Sequence, residues 1–375
     1  PNDNRTITDF LNSLAYTVSK LKSNEINVET LLQKLEVVTD YGSIEQKFEI
    51  DESKNIKNDV NFSSFYTLIL KNQKTLLLGE PGSGKSWFLT NFINYLIENG
   101  NQVVRHYCYT SVEDEFAEKR IESDVFFGNL IKDLLDKIPS LQKIKTNFIS
   151  DLGELNFLLF NVKEPLVIVI DGLDHIDRLL KNSKQLSIEK TRIIDFISKI
   201  SLPKNVSIVL GSQPIVELKK LKDKFSFKEY NISKWTKEET LSLMSKYSLK
   251  DKTVDDIMLS QHILNKSEGN SLYTTYILKE IFNKKITLKL IKTFPSYDFN
   301  LSKYYSYLTN QIDDNNTSEV LSCLEFRVNK IELKELVHYS GHVENDLKVL
   351  SSVISENSSI GGLRLYHDSF RRYNI

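Results

Sequence analysis

The chain has 375 residues, with 49 Lys plus Arg set against 50 Asp plus Glu and a formal net charge of −1. A chain of this length holds two or three domains with substantial cores, and its balanced charge disfavours nucleic acid and anionic membrane as partners. The longest apolar run, Leu166 to Ile170, is far too short to cross a bilayer. Cys108 and Cys323 lie far apart and cannot supply a four-ligand metal site, so buried thiols in a reducing cytosol are expected. The chain opens on Pro1 and closes on Ile375, which suggests a piece of a longer protein.

Residues 1–61 carry two amphipathic stretches, Phe10 to Leu21 and Val28 to Val38, then the polar segment Asp51 to Asn61; they read as helices and a linker. Residues 62–233 alternate strand and helix patterns, the mark of a parallel sheet covered by helices. The predicted strands are Thr75 to Leu78, Val103 to Tyr109, Leu166 to Ile170, Val206 to Leu210 and Phe225 to Ile232. A helix is predicted over Val125 to Ile138, ending at Pro139, and a surface loop over Lys181 to Ser187.

Between the first strand and a helix stands Gly79-Glu80-Pro81-Gly82-Ser83-Gly84-Lys85-Ser86, which satisfies GxxxxGK(S/T) in its required context. Glycines let the loop turn its backbone N–H groups inward around clustered negative charge. Lys85 can reach the β- and γ-phosphates of a nucleotide, and Ser86 offers a hydroxyl to Mg²⁺ beside the positive helix end. The nucleotide-contacting set runs from Gly79 through Trp87.

The apolar strand Leu166 to Ile170 ends in Asp171-Gly172-Leu173-Asp174, a Walker B pattern. Asp171 at the strand tip is placed to hold Mg²⁺, and Asp174 to orient and deprotonate an attacking water, which makes it the candidate catalytic residue.

Residues 234–315 lose the strand pattern and show apolar residues at helical spacing, a helical domain in which the cluster Tyr304, Tyr305 and Tyr307 is expected in the core. Residues 316–375 hold short helical patterns and a glycine-led β wing, Gly361 to Tyr366, and read as a winged-helix domain. Its candidate recognition helix, Val343 to Glu356, carries Glu344, Asp346 and Glu356 against Lys348, the wrong sign for a phosphate backbone.

The spellings GEPGSGKS and LVIVIDGLDH resemble the NACHT branch of the STAND class of P-loop NTPases. Later segments agree in order. Leu202 to Leu210 followed by Gly211-Ser212-Gln213-Pro214 is similar to the sensor strand of that class, Ser267 to Tyr273 to its Gly-Asn-Pro-Leu element, and Tyr366 to Tyr373 to the histidine motif closing its winged helix. The resemblance implies an AAA+/STAND-type α/β fold with the additional-strand sheet order, and contact of Gln213, Ser271 and His367 with bound ATP or ADP. In particular it implies that His367 hydrogen-bonds the β-phosphate of ADP. Three residues depart from the pattern: Gln213 replaces an arginine that touches the γ-phosphate, His175 a glutamate, and Ser271 a proline near the adenine.

The resemblance further implies a cytoplasmic ATP/ADP switch with slow hydrolysis and self-association on activation. Effector and sensor domains outside these residues, and an unknown trigger such as a phage protein in bacterial antiviral defence or stress signalling, complete that expectation. The alternatives are a DNA-binding ATPase of origin-recognition or archaeal type, and a transcriptional regulator built on the same switch.

Overall fold

The computed structural model describes residues 12, 16, 41–57, 59–111, 114–145, 150–182, 191–247, 256–284, 291–312, 320, 323–324, 343–357 and 362–374. The stretches Phe10 to Leu21 and Val28 to Val38 lie outside them apart from two isolated positions.

Five strands form one parallel sheet: β1 (Lys74–Leu78), β2 (Gln102–Tyr107), β3 (Leu166–Asp171), β4 (Val206–Ser212) and β5 (Lys228–Asn231), in the order β2-β3-β4-β1-β5. The insertion of β4 between β1 and β3 is the additional-strand order that the family resemblance implies. Alternate residues point to opposite faces. Leu77, Val103, Val167, Val169 and Val209 pack under α1 (Asp59–Lys71) and α2 (Lys85–Glu98). Leu76, Val104, Ile168, Ile170 and Leu210 pack under α3 (Ser123–Lys137) and α4 (Leu152–Asn161). Burial on both faces explains why β3 reads as an unbroken apolar run.

Register sets the site. Leu77 lies opposite Gly211, Gly211 opposite Asp171, and Asp171 opposite Tyr107. The carboxyl ends of four strands therefore share one edge, where α/β sheets place ligands.

Several expected boundaries shift, among them the strand expected over Val103 to Tyr109, which is Gln102–Tyr107. α1 starts at Asp59, inside the segment read as linker, and is preceded by a 3-10 turn, Glu52–Lys54, capped by Asp51. The strand expected over Phe225 to Ile232 is only Lys228–Asn231, because Leu218–Phe225 is a helix that buries Leu218 and Leu221 and stops at Ser226 in the left-handed region, φ 59°. The helix α5 (Asp174–Asn182) runs into the predicted loop over Lys181 to Ser187, whose remaining residues lie outside those described. Among the thiols, Cys108 is fully buried and Cys323 only partly.

Beyond the sheet, α6 (Lys237–Lys246) opens with a capping box, the Thr236 hydroxyl accepting from the Glu239 N–H and the Glu239 carboxylate from the Thr236 N–H. It packs with α7 (Asp256–Ser267), α8 (Ser271–Lys284) and α9 (Ser302–Thr309). Tyr304 and Tyr305 are 1% and 2% exposed within this core, as expected. The same core takes in Leu347 of α10 (Val343–Val349), Val353, Leu363 and Leu365, and Phe370 of α11 (Asp368–Asn374).

The recognition helix expected to reach Glu356 ends at Val349 with a 3-10 turn, Leu350–Ser352. β6 (Ile354–Asn357) then pairs antiparallel with β7 (Gly362–Leu365). Val353 caps the 3-10 turn, and the chain becomes extended at the β-branched Ile354, so Glu356 belongs to the wing.

Candidate functional site

The loop after β1 turns through Gly82 and Gly84, both at positive φ, 70° and 85°. Glycine makes this path accessible. Gly84 caps α2 without any side-chain hydrogen bond, leaving the helix N-terminus open toward an anion. Lys85 is 9% exposed, and its Nζ donates to the carbonyls of Gly79 and Glu80 at 2.8 and 3.0 Å.

Asp171, at the tip of β3, is 1% exposed. Burial pushes its carboxyl up to about 6, against the opposing hydrogen bond from the Ser86 hydroxyl and the charge of Lys85. The structure thus joins the two residues expected to hold a metal. A Cβ on Gly211 would stand 2.2 Å from Asp171 Oδ1, so the carboxylate keeps its place because its neighbour on β4 has no side chain.

Asp174 accepts from the backbone N–H of Gln213 at 3.0 Å, with His175 Nε2 3.5 Å from its other oxygen. The His175 ring stacks on Tyr109, centroids 4.0 Å apart. Asp174 therefore ties the sensor turn to the Walker B helix as well as facing the cavity.

The helical domain grips the loop from outside. Asn270 Nδ2 donates to Pro81 O at 3.2 Å, and Ser271 Oγ and the Leu272 N–H donate to Gly82 O at 3.0 and 3.1 Å. Tyr297 places its hydroxyl 3.3 Å from Glu80 Oε2. Gly79, Glu80 and Pro81 do not line the cavity; Glu80 and Pro81 engage the helical domain. Ser271 lines it while spending its hydroxyl on the loop.

A cavity of about 1090 Å³ collects Gly82 to Trp87, Asp171, Asp174, Gln213, Ser271 and His367. His367 Nδ1 accepts from the Ser369 N–H at 3.1 Å, which puts the ring proton on Nε2, the nitrogen able to donate to a phosphate oxygen.

Polar atoms of cavity-lining residues buried without a hydrogen bond among the described residues include Ser83 Oγ, Arg120 Nη1, Asp171 Oδ2, His175 Nδ1 and Tyr247 Oη. Orphaned buried groups are costly and call for a partner. An oxygen-rich anion with its cation suits this set: Ser83 and Arg120 can donate, Asp171 can hold a metal. Nucleotide and Mg²⁺ fit the residues present.

Sequence reading missed the contribution of the linker and of the turn after β2. Asn55 Oδ1 accepts from Trp87 Nε1 at 2.7 Å and from Asn91 Nδ2 at 3.0 Å, so Trp87 is anchored by the linker. Asp114 pairs with Arg120, both side chains 5% exposed. These residues sit in polar stretches that read as solvated surface, and no spacing marks them.

The family described as Nephrocystin 3, N-terminal, matches residues 56–212. No curated protein matches the chain. Among solved structures, the Walker-type ATPase of Pyrococcus abyssi is 13% identical at a TM-score of 0.40, covering 89% of this chain and 99% of its own. The ORC2 protein of Aeropyrum pernix is 11% identical at 0.40, covering 89% and 95%. RuvB of Thermotoga maritima is 15% identical at 0.32, covering 84% and 94%. Similarity this low assigns no activity. The phosphate cradle, the buried acidic strand tip and the strand order give the parallel-sheet unit the fold of a P-loop NTPase.

Proposed function

We propose that the chain is the nucleotide-controlled core of a STAND-class molecular switch, binding ATP and ADP and hydrolysing ATP slowly. The observation that carries this reading is the meeting of His367, from the winged-helix region, with Lys85 and Ser86 in one cavity. A switch needs contacts that differ between two arrangements of the same parts. Here the helical domain holds the loop carbonyls of Pro81 and Gly82, and the winged-helix region presents the His367 ring.

Lys85 and the open N-terminus of α2 bind the phosphates, while Ser86 and Asp171 hold Mg²⁺. The ion neutralises phosphate charge when bound. Asp174 orients water and accepts its proton, with the Gln213 N–H and His175 fixing the carboxylate. Slow turnover accords with a general base already engaged by two neighbours. Release of His367 would free the winged-helix region, allow self-association, and pass the signal to effector and sensor regions beyond these residues. A cytoplasmic setting and an external trigger such as a phage protein in bacterial antiviral defence or stress signalling complete the proposal.

His367→Ala tests it. Loss of a hydrogen bond to a charged group, about 1.5 to 3 kcal/mol, lowers ADP affinity about ten-fold or more. The radius of gyration with ADP should rise in small-angle scattering. Unchanged affinity and unchanged compactness would reduce His367 to a packing residue.

A further inference from the structure

ATP and ADP differ by one phosphate, so a site that tells them apart needs a cation placed for the terminal group. Among the described cavity-lining residues the cationic side chains are Lys47, Lys54, Lys85 and Arg120. Lys47 and Lys54 pair with Glu49 and Asp51 at the surface, 63% and 35% exposed. Lys85 belongs to the cradle that both nucleotides occupy. Gln213 brings no charge. Arg120 is left, 5% exposed in its side chain.

Its guanidinium is held from one side only. Nε and Nη2 face the two oxygens of Asp114, Nη2 at 3.5 Å, and Nη1 is buried with no hydrogen-bond partner among the described residues. Asp114 in turn accepts from Thr110 Oγ1 at 2.7 Å and from the Phe116 N–H at 3.0 Å, so it cannot move to cover the orphan. The Arg120 backbone is fixed too: His106 Nε2 hydrogen-bonds its carbonyl at 2.8 Å, and Asn129 holds His106 Nδ1 at 3.1 Å. A buried guanidinium locked in position with an unused N–H edge is prepared for an oxyanion. A buried carboxylate–arginine pair kept only for stability would leave no charged donor unmatched.

We propose that Arg120 reads the terminal phosphate of a bound nucleoside triphosphate, donating through Nη1 while Asp114 holds the other edge. This deepens the nucleotide reading of the site and rests on it. ADP leaves Nη1 without its acceptor, so the residue separates the two nucleotides without contributing to their shared binding.

The test is calorimetry on the 375-residue chain with Mg²⁺, using ADP and the non-hydrolysable β,γ-imido analogue of ATP. Arg120→Gln should weaken the analogue about ten- to a hundred-fold, the range of a charged hydrogen bond, with ADP affinity within about two-fold. Arg120→Lys keeps a charge beside Asp114 but loses the fork; it should lower the analogue-to-ADP ratio by a smaller factor. That variant decides the matter should Arg120→Gln fail to fold. Equal losses for both ligands, or an unchanged ratio in the variants of a wild type that binds both, would overturn the role of Arg120 alone. A wild-type chain that binds neither nucleotide would overturn the site reading and this inference with it.

Discussion

Arg178 on α5 donates from Nη1 to Asp368 Oδ2 at 2.7 Å, tying the helix after the Walker B strand to the residue that follows His367. The two side chains are 20% and 11% exposed, and the guanidinium also lies over the Tyr109 ring, 5.3 Å from its centroid. Position therefore passes from the acidic strand tip to the histidine through one ion pair.

Removing either partner leaves a mostly buried charge underpaired, a loss of about 1 to 3 kcal/mol once partial exposure is allowed for. Arg178→Gln and Asp368→Asn should each lower stability by this amount and enlarge the radius of gyration in ADP. The double variant should cost little more than either single one. Fully additive losses in a denaturation cycle would show that the pair does not act as a unit.

Lys85→Ala should abolish binding of both nucleotides and leave the fold in place. The Lys85 ammonium donates to Gly79 and Glu80 carbonyls of its own loop, which water can satisfy in its absence. The readout is thermal unfolding with and without ADP: the variant should melt near the wild-type temperature and show no ligand-induced rise. A rise equal to that of the wild type would remove Lys85 from the phosphate site.

Gly211→Ala places a methyl group 2.2 Å from Asp171 Oδ1 and 2.5 Å from Leu89 Cδ1. Overpacking of this kind costs about 1 to 3 kcal/mol. It should also push the Asp171 carboxylate off its position beside Ser86, so Mg²⁺ should enhance nucleotide binding less in the variant. Wild-type Mg²⁺ dependence with lowered stability would limit Gly211 to packing.

Much of this architecture was legible because it repeats. The β3 run ending in Asp171, the glycine spacing before Lys85 and the helical intervals of α6, α7, α8 and α9 are periodic or punctuated, and the structure keeps them. What sequence could not show depends on side chains meeting across long separations. Nothing near Arg120 signals that Asp114 will clasp it under burial. The segment read as linker holds Trp87 through Asn55. The wing took Glu356 from the helix because the helical spacing of Val343 to Val349 does not announce where it stops. The steric purpose of Gly211 shows only in its register opposite Asp171.

His106 offers a pH test. It is fully buried, and desolvation lowers its imidazole from the ordinary 6.5 to about 3, against the opposing hydrogen bond to the Arg120 carbonyl and aided by the Arg120 charge. The ring is neutral in the fold, accepting at Nδ1 from Asn129 and donating at Nε2 to the Arg120 carbonyl. The unfolded chain takes up a proton below about 6.5, whereas the folded chain does so only near 3. Its contribution is therefore fully present above the unfolded value and is lost as pH falls toward the folded one, at up to about 1.4 kcal/mol per pH unit. His106→Asn should cost stability at pH 7, since it breaks the hydrogen-bonded chain that sets the Arg120 backbone. Lowering the pH to 5 should narrow the gap between wild type and variant by about 2 kcal/mol, because only the wild type carries the imidazole penalty. Urea titrations of both proteins at the two pH values measure this directly. A gap that stays constant would mean that the imidazole keeps its ordinary pKa in the fold, and one that widens would mean a protonated ring donating from both nitrogens, which requires Asn129 to turn its amide oxygen toward Nδ1.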